Sequence, residues 1–212
     1  MPKVAVLVGS LRAKSLNRKV AELLTRTGPK DLGLEIVEIG DLPLYNEDLE
    51  ENAPREWQEF REHINASDAI LFVTPEYNRS VPAGLKNAID VGSRPYGANV
   101  WNGKPGGVIT VSPGAIGGFG ANHHLRQMFV FLNVLVMQQP EAYLGGASEF
   151  FDQSGALADE GTRKFLASFI EAYAQWVTTC LAMSRRTVAP RLAVEVEYKD
   201  FDGSQKAIAS LA

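Results

Sequence analysis

The chain has 212 residues, of which 45% are apolar and 22% charged, and its formal net charge is −4. This composition is typical of one globular domain, and the weak acidic balance does not favour nucleic acid or an anionic membrane as a partner. Cys180 is the single cysteine, which excludes an intrachain disulfide and a cluster of thiolate metal ligands within one chain. We therefore expect a protein of the reducing cytoplasm, with neither a secretion signal nor a membrane span.

Segments typical of strands and helices alternate along the chain. Val4 to Val8 is an apolar run of strand length, and apolar residues then recur at helical spacing from Leu16 until Gly28 and Pro29 end the pattern. Residues 69–74 are apolar on both faces, as expected of a central strand covered by helices. Further strands are predicted at residues 34–39, 106–112 and 134–137, helices in the intervals between strands and up to about Ser184, and loops at residues 40–53 and 141–158.

This alternation favours an open parallel sheet with helices on both faces, because each connection is long enough for a helical crossover. Ligands bind such sheets outside the carboxyl ends of the strands. The segments after the first, third and fourth predicted strands have the most unusual compositions. We name them the first loop (residues 9–17), the third loop (residues 75–82) and the fourth loop (residues 112–120), and we expect them to meet in one crevice.

The first loop combines hydroxyl, amide and cationic side chains directly before a helix. Helix N-termini bind anions through unpaired N–H groups and the positive end of the helix dipole. Because Gly9 is its one glycine, the loop matches neither a Walker motif nor a dinucleotide fingerprint, and it favours a terminal monophosphate. The alternative is structural, with Ser15 as the N-cap of the helix and the cations solvated.

The third and fourth loops bring an aromatic ring, an amide and several glycines to the same edge. Tyr77 and Asn78 lie beside Glu76 between two prolines. The segment has few apolar residues, so packing in a core does not explain why these three side chains occur together. Glycines in the fourth loop allow the backbone to approach a flat ring closely. The structural alternatives are a rigid turn in the third loop and a tight turn in the fourth.

Four stretches together carry a resemblance to a known family. They are Gly9-Ser10-Leu11-Arg12-x-x-Ser15-x-Asn17, Thr74-Pro75-Glu76-Tyr77-Asn78-x-Ser80-x-Pro82-x-x-Leu85-Lys86-Asn87-Ala88-Ile89-Asp90, Ser112-x-Gly114-x-x-Gly117-Gly118 and His124-Leu125-Arg126-Gln127. Over about residues 3–184 the chain resembles the NADPH-dependent FMN reductases of the flavodoxin-like proteins. This resemblance implies a flavodoxin-like, doubly wound α/β fold with a five-stranded parallel sheet in the order 2-1-3-4-5 and helices on both faces.

The resemblance also implies where FMN binds. It places the phosphate at the first loop, the isoalloxazine beside the third loop and the other ring edge at the fourth loop. Backbone N–H groups near Asn78 and Gly114 are candidates to stabilise the reduced flavin. Tyr77 and Arg126 are candidates for a contribution to catalysis, for which no acid or base is essential. The implied cofactor-binding residues are Ser10, Leu11, Arg12, Ser15, Leu16, Asn17, Pro75, Glu76, Tyr77, Asn78, Ser112 and Gly114.

The function implied is an FMN-dependent NAD(P)H oxidoreductase that passes two electrons to quinones, chromate, azo compounds or free flavin by ping-pong hydride transfer. NADH and NADPH both remain open as donor. The alternative is a flavodoxin-like one-electron carrier without its own NAD(P)H activity. The family implies a homodimer or homotetramer with small-molecule partners.

Two parts of the chain lie outside this assignment. His123 and His124 are adjacent and diverge on a helix, so we expect no metal site there. We predict that residues 1–185 form the FMN-binding domain and that residues 186–212 are a C-terminal extension of unknown role, either a hairpin or a mobile tail.

Overall fold

A computed structural model describes residues 1–152 and 155–186, together with the backbone of two short strands further along the chain. The main sheet is parallel throughout and has the order β2-β1-β3-β4-β5, with β6 also paired to β4. This confirms the predicted fold class. The strands are β1 Lys3–Val8, β2 Gly33–Val37, β3 Ala69–Thr74, β4 Pro105–Val111, β5 Leu135–Val136 and β6 Ala142–Leu144.

Helices cover both faces of this sheet. All six residues of β3 are buried, and its side chains alternate between the two faces: Ile70 and Phe72 pack with α2, α3 and α4, whereas Leu71 and Val73 pack with α1 and α5. The apolar strand is therefore central, as its sequence predicts. The helices are α1 Leu16–Thr27, α2 Arg55–Ala66, α3 Ala83–Ser93, α4 Phe119–Leu132 and α5 Glu160–Arg186.

The edge of the sheet beyond β4 differs from the prediction. The fifth strand has two residues instead of four, and β6 lies inside residues 141–158, which are predicted to be a loop. Pro140 separates the two strands and has no N–H group for the ladder. The edge of β4 consequently pairs with β5 near its start and with β6 near its end.

Residues 40–53 also contain more structure than predicted, because Glu47–Asn52 forms a 3-10 helix. The segment before it is fixed to α3 by Asn87, which is buried. Its Oδ1 accepts from the Tyr45 N–H at 2.8 Å, and its Nδ2 donates to the carbonyls of Leu42 and Pro43. Trp57 of α2 adds a second contact, because its Nε1 donates to the Pro43 carbonyl at 2.8 Å. This surface loop is thus held by side chains of the helical layer.

At the end of the chain, β7 Tyr198–Lys199 pairs antiparallel with β8 Gln205–Lys206. The other residues of 187–212 lie outside the described ones, so the division into a domain of residues 1–185 and an extension of residues 186–212 stays a prediction. In the part of the chain that the structure describes, no helix is both long and apolar enough to cross a membrane.

Candidate functional site

The first and third loops start from strands that approach each other closely. The Gly9 N–H donates to the carbonyl of Val73 at 3.0 Å, which continues the pairing of β1 with β3 to the very start of both loops. A Cβ atom on Gly9 would lie 2.1 Å from Thr74 Oγ1, so no larger residue fits without moving β3. Glycine is required here by the close approach of the two strands.

The first loop buries three of its polar side chains. Ser10, Ser15 and Asn17 are each at most 4% exposed, whereas Leu11 and Arg12 face solvent. Ser15 is the N-cap of α1, and its Oγ accepts from the Arg18 N–H at 3.1 Å. This confirms the predicted cap. The Ser15 hydroxyl still has a proton to donate, because a hydroxyl is both donor and acceptor.

Asn17 connects the first loop to the end of β4. Its Nδ2 donates to the carbonyl of Val111 at 3.3 Å. Its Oδ1 is buried and has no hydrogen-bond partner among the described residues. Since a buried acceptor without a donor costs free energy, Oδ1 is a position at which a ligand can donate a hydrogen bond.

The third loop is a tight turn between two prolines. Tyr77 and Ser80 exchange both backbone hydrogen bonds at 2.9 Å, and the two residues between them, Asn78 and Arg79, are left-handed with φ of 51° and 63°. This geometry corresponds to a type I′ turn, which needs positive φ at both central positions. The rigid-turn interpretation is therefore correct as a description of the backbone, and it leaves the Tyr77 ring 44% exposed at the edge.

Glu76 links the third loop to α4. One carboxylate oxygen, Oε2, accepts from the backbone N–H of Ala121 at 3.2 Å, and the other, Oε1, accepts from Arg79 Nη1 at 2.7 Å. The Glu76 side chain is only 9% exposed. Nothing in the sequence signalled this contact, because its partners are 45 residues apart.

The fourth loop packs against β6. Ser112 Oγ accepts from the Gly114 N–H at 3.1 Å, so this N–H is engaged within the loop, and the Asn78 N–H remains as the candidate donor to a flavin. Gly117 has φ of 67°, and a Cβ atom there would lie 2.6 Å from the Tyr143 carbonyl carbon. The tight-turn alternative thus accounts for this glycine.

These contacts join the strand ends and the helix start that flank the three loops. Gly9 ties the first loop to the end of β3, Asn17 ties it to the end of β4, and Glu76 ties the third loop to the helix that follows the fourth. The bases of the three loops are therefore linked at the carboxyl edge of the sheet, where doubly wound folds bind their ligands.

The sequence profile of the NADPH-dependent FMN reductases matches residues 2–149. The chain belongs to this family. A quinone reductase of Pseudomonas putida is 65% identical over 175 residues, which cover 82% of this chain and 94% of that protein. A 2-hydroxy-1,4-benzoquinone reductase of a Burkholderia species is 45% identical, with 82% and 96% covered. The solved structure of FerB, a flavoenzyme NAD(P)H:(acceptor) oxidoreductase from Paracoccus denitrificans, is 43% identical, covers 84% of this chain and 98% of that one, and gives a TM-score of 0.79.

Membership in this family confirms the predicted oxidoreductase that uses FMN with NAD(P)H as electron donor. The side chains of the first loop and the start of α1 fit FMN. The hydroxyls of Ser10 and Ser15 and the N-terminus of α1 suit a phosphate. Asn17 Oδ1, to which none of the described residues donates, suits a ribityl hydroxyl, which is a donor.

Arg126 forms its described hydrogen bonds with residues outside the three loops of this FMN reductase. Its Nε donates to Asn122 Oδ1 at 2.9 Å and its Nη1 to the carbonyl of Met137 at 3.2 Å. These contacts fasten α4 to the end of β5. The predicted contribution of Arg126 to catalysis stays a prediction, and its described contacts are structural.

The two adjacent histidines take different partners. His123 Nε2 lies 3.0 Å from the Tyr143 hydroxyl, and His124 Nδ1 lies 2.8 Å from Ser80 Oγ. Burial and a hydrogen bond with Glu141 raise the pKa of Tyr143 to about 12. Within the described residues, no group of three or more His, Cys, Asp or Glu side chains could hold a metal ion.

A cleft of about 600 Å³ adjoins the third loop on the side of α3 and α4. Its lining includes Tyr77, Asn78, Lys86, His124 and Met128. Lys86 is paired with Asp90 at 2.7 Å, so its charge is largely compensated. The cleft gives open access to the outer side of the Tyr77–Ser80 turn.

Proposed function

We propose that this FMN reductase transfers electrons from NAD(P)H to quinones, with FMN held by the first, third and fourth loops. The observation that carries the site is Asn17 Oδ1, which is buried beside the cap of α1 and has no hydrogen-bond partner among the described residues. The choice of acceptor is supported by the relatives named quinone reductase and 2-hydroxy-1,4-benzoquinone reductase.

Each loop has a separate role in this proposal. Ser10, Ser15 and the first N–H groups of α1 hold the phosphate, and Asn17 accepts from the ribityl chain. Asn78 offers its backbone N–H to the pyrimidine edge of the ring. The Tyr77 ring, which is 44% exposed, borders the face that the donor and acceptor use in turn.

When bound, FMN would supply the redox chemistry, which is a hydride transfer from NAD(P)H to a quinone that takes up one solvent proton for each hydroquinone formed. The chain positions the two reactants at one face, so NAD(P)+ leaves before the quinone enters. We therefore expect ping-pong kinetics.

Anaerobic stopped-flow spectroscopy tests the two half-reactions. Protein reconstituted with FMN is expected to lose its flavin absorbance on mixing with NADPH or NADH and to regain it on mixing with a quinone. A flavodoxin-like carrier would bind FMN but would not be bleached by either nicotinamide. A protein that cannot be reconstituted with FMN contradicts the whole proposal.

A double variant tests the phosphate and ribityl contacts. Ser15→Ala with Asn17→Ala is expected to weaken FMN binding by more than tenfold, because both polar groups face the cofactor. The thermal stability of the apoprotein should fall less. The matched control is Ser93→Ala with Asn99→Ala, whose hydrogen bonds lie in the α3–β4 region. An equal effect of both pairs on FMN affinity would reduce the first pair to a structural role.

The proposal also includes the oligomeric state of the enzyme and its location in the cell. Val130 and Phe131 of α4 are 85% and 83% exposed, which is unusual for adjacent large apolar residues. We propose that this face forms a homodimer contact and that a tetramer requires a second interface. Light scattering of Val130→Glu and Phe131→Glu variants should show a monomer, and an unchanged mass would exclude this face. A cytoplasmic location is tested by cell fractionation.

A further inference from the structure

We infer that Glu76 is a positioning residue, which sets the Tyr77–Ser80 turn against the flavin by capping α4 from the third loop. The inference rests on the proposed function, because the turn is taken to offer the Asn78 N–H to FMN. It assigns Glu76 a role other than the direct cofactor contact that the family resemblance implies.

The start of α4 lacks a cap of its own. Its N-cap is Gly118, which is left-handed with φ of 82° and has no side chain to accept a hydrogen bond, and its first turn contains no acidic residue. The first N–H groups of a helix need acceptors, and a carboxylate near them is favoured by the helix dipole. Glu76 Oε2 meets this need by accepting from Ala121 at 3.2 Å.

The second carboxylate oxygen adds a weaker, solvent-exposed contact to the turn. Oε1 accepts from Arg79 Nη1 at 2.7 Å, and Arg79 is one of the two left-handed residues of the turn. A non-glycine residue with positive φ is costly and persists only where its surroundings determine it. Glu76 therefore joins the strained part of the turn to the first turn of a helix.

Close packing leaves the carboxylate little freedom. A Cβ atom on Gly120 would lie 2.9 Å from Glu76 Oε2 and 3.0 Å from the Arg79 carbonyl oxygen. Both anchors are rigid, because β3 is buried along its whole length and Ala121 is fully buried in α4. The distance between strand end and helix start thus determines where the turn lies.

The role of Glu76 follows from this arrangement. Removing the carboxylate leaves α4 without a cap and Arg79 without its carboxylate partner. Among the described contacts, the turn then keeps its own backbone hydrogen bonds and the contact of Ser80 Oγ with His124 Nδ1 of α4. The Asn78 N–H then loses its fixed position beside the flavin. Both the affinity for FMN and the reduction potential of the bound cofactor depend on that position.

The test compares four variants by FMN affinity, midpoint potential of bound FMN and melting temperature of the apoprotein. Glu76→Ala is expected to weaken FMN binding about tenfold and to shift the potential. Glu76→Gln keeps an acceptor for Ala121 and should recover most of the affinity. Arg79→Ala should change the affinity by less than about threefold. Gly120→Ala keeps the carboxylate but displaces it, so it should behave like Glu76→Ala.

Gly161→Ala, at the start of α5, is the control glycine substitution, because its Cβ would meet nothing closer than 3.4 Å. Amide hydrogen exchange of the apoprotein gives a readout without flavin: Glu76→Ala should accelerate exchange at Tyr77, Ser80 and Ala121. The inference is overturned if these rates are unchanged, or if Glu76→Ala retains the affinity and potential of the parent protein. Parent protein that binds no FMN would instead overturn the proposed function, while the exchange rates would still test the positioning.

Discussion

The first and third loops lie at the same edge of the sheet but are built differently. In the first loop the polar groups belong to buried side chains, with Ser10, Ser15 and Asn17 each at most 4% exposed. In the third loop the side chains of Tyr77 and Asn78 are exposed, and the special feature is the backbone, with two successive left-handed residues.

This difference predicts how each loop responds to mutation. Replacing a side chain of the first loop removes a group that binds the cofactor or caps a helix. We expect that replacing an exposed side chain of the third loop is tolerated as long as the backbone keeps its conformation. One loop is therefore defined by its functional groups and the other by its torsion angles.

The largest effect is expected where the first loop meets the end of β3, directly before the third loop. Gly9→Ala places a methyl group 2.1 Å from Thr74 Oγ1 and should lower the free energy of unfolding by about 2–3 kcal/mol. Urea unfolding of the apoprotein measures it. The control is Gly40→Ala, whose Cβ would lie 3.6 Å from Leu11 Cδ2. A similar loss in both variants would show that the contact between strands is more adaptable than the geometry indicates.

A substitution in the third loop should separate backbone from side chain. Asn78→Val puts a β-branched residue at φ of 51° and is expected to cost about 1.5–2 kcal/mol in unfolding free energy. Asn78→Gly accepts this torsion and should keep both stability and FMN affinity. Loss of affinity in the glycine variant would mean that the amide side chain binds the cofactor, and the contrast with the first loop would fail.

The converse holds for the first loop. Asn17→Ala should weaken FMN binding about tenfold, which corresponds to about 1.4 kcal/mol. The apoprotein should lose less stability than that, because the substitution also removes a buried acceptor without a partner. FMN titration and urea unfolding of the same preparation measure the two effects. A larger loss of stability than of affinity would show that Asn17 has a structural role and does not bind the cofactor.

The smallest effect concerns the cap of α1. Ser15→Ala should cost about 1 kcal/mol of unfolding free energy, since the Arg18 N–H loses its acceptor. Ser15→Asp keeps a capping acceptor but places a negative charge at the phosphate site. It should therefore retain stability and lose FMN affinity. Equal losses of stability and affinity would show that Ser15 only caps α1 and does not contact the phosphate.

Much of the fold was accessible to sequence analysis because its signals are local. The apolar run of β3 and the cap at Ser15 each depend on neighbouring residues, and the structure confirms both. The meeting of the three loops followed from the general rule for parallel sheets. The 3-10 helix Glu47–Asn52 was not predicted, because four of its six residues are acidic and such a segment is typical of a solvated loop.

The missed features depend on contacts distant in sequence. β6 has three residues and is a strand only because β4 offers it a partner. Glu76 is a single carboxylate in a polar loop, and its partner Ala121 belongs to a helix 45 residues away. Neither composition nor periodicity predicts such a pair. The left-handed torsions at Asn78 and Arg79 were not predictable either, because neither residue is a glycine.

The sheet edge formed by the two short strands β5 and β6 affects how readily the protein can pair with other molecules at high concentration. A strand from another molecule adds to a sheet edge only where it finds an unbroken row of backbone donors and acceptors. Here the two short strands are separated by Pro140, which has no N–H. Trp176 Nε1 also donates to the carbonyl of Leu135 at 2.7 Å. Within the described residues, this side of the molecule is therefore a poor template for intermolecular β-pairing.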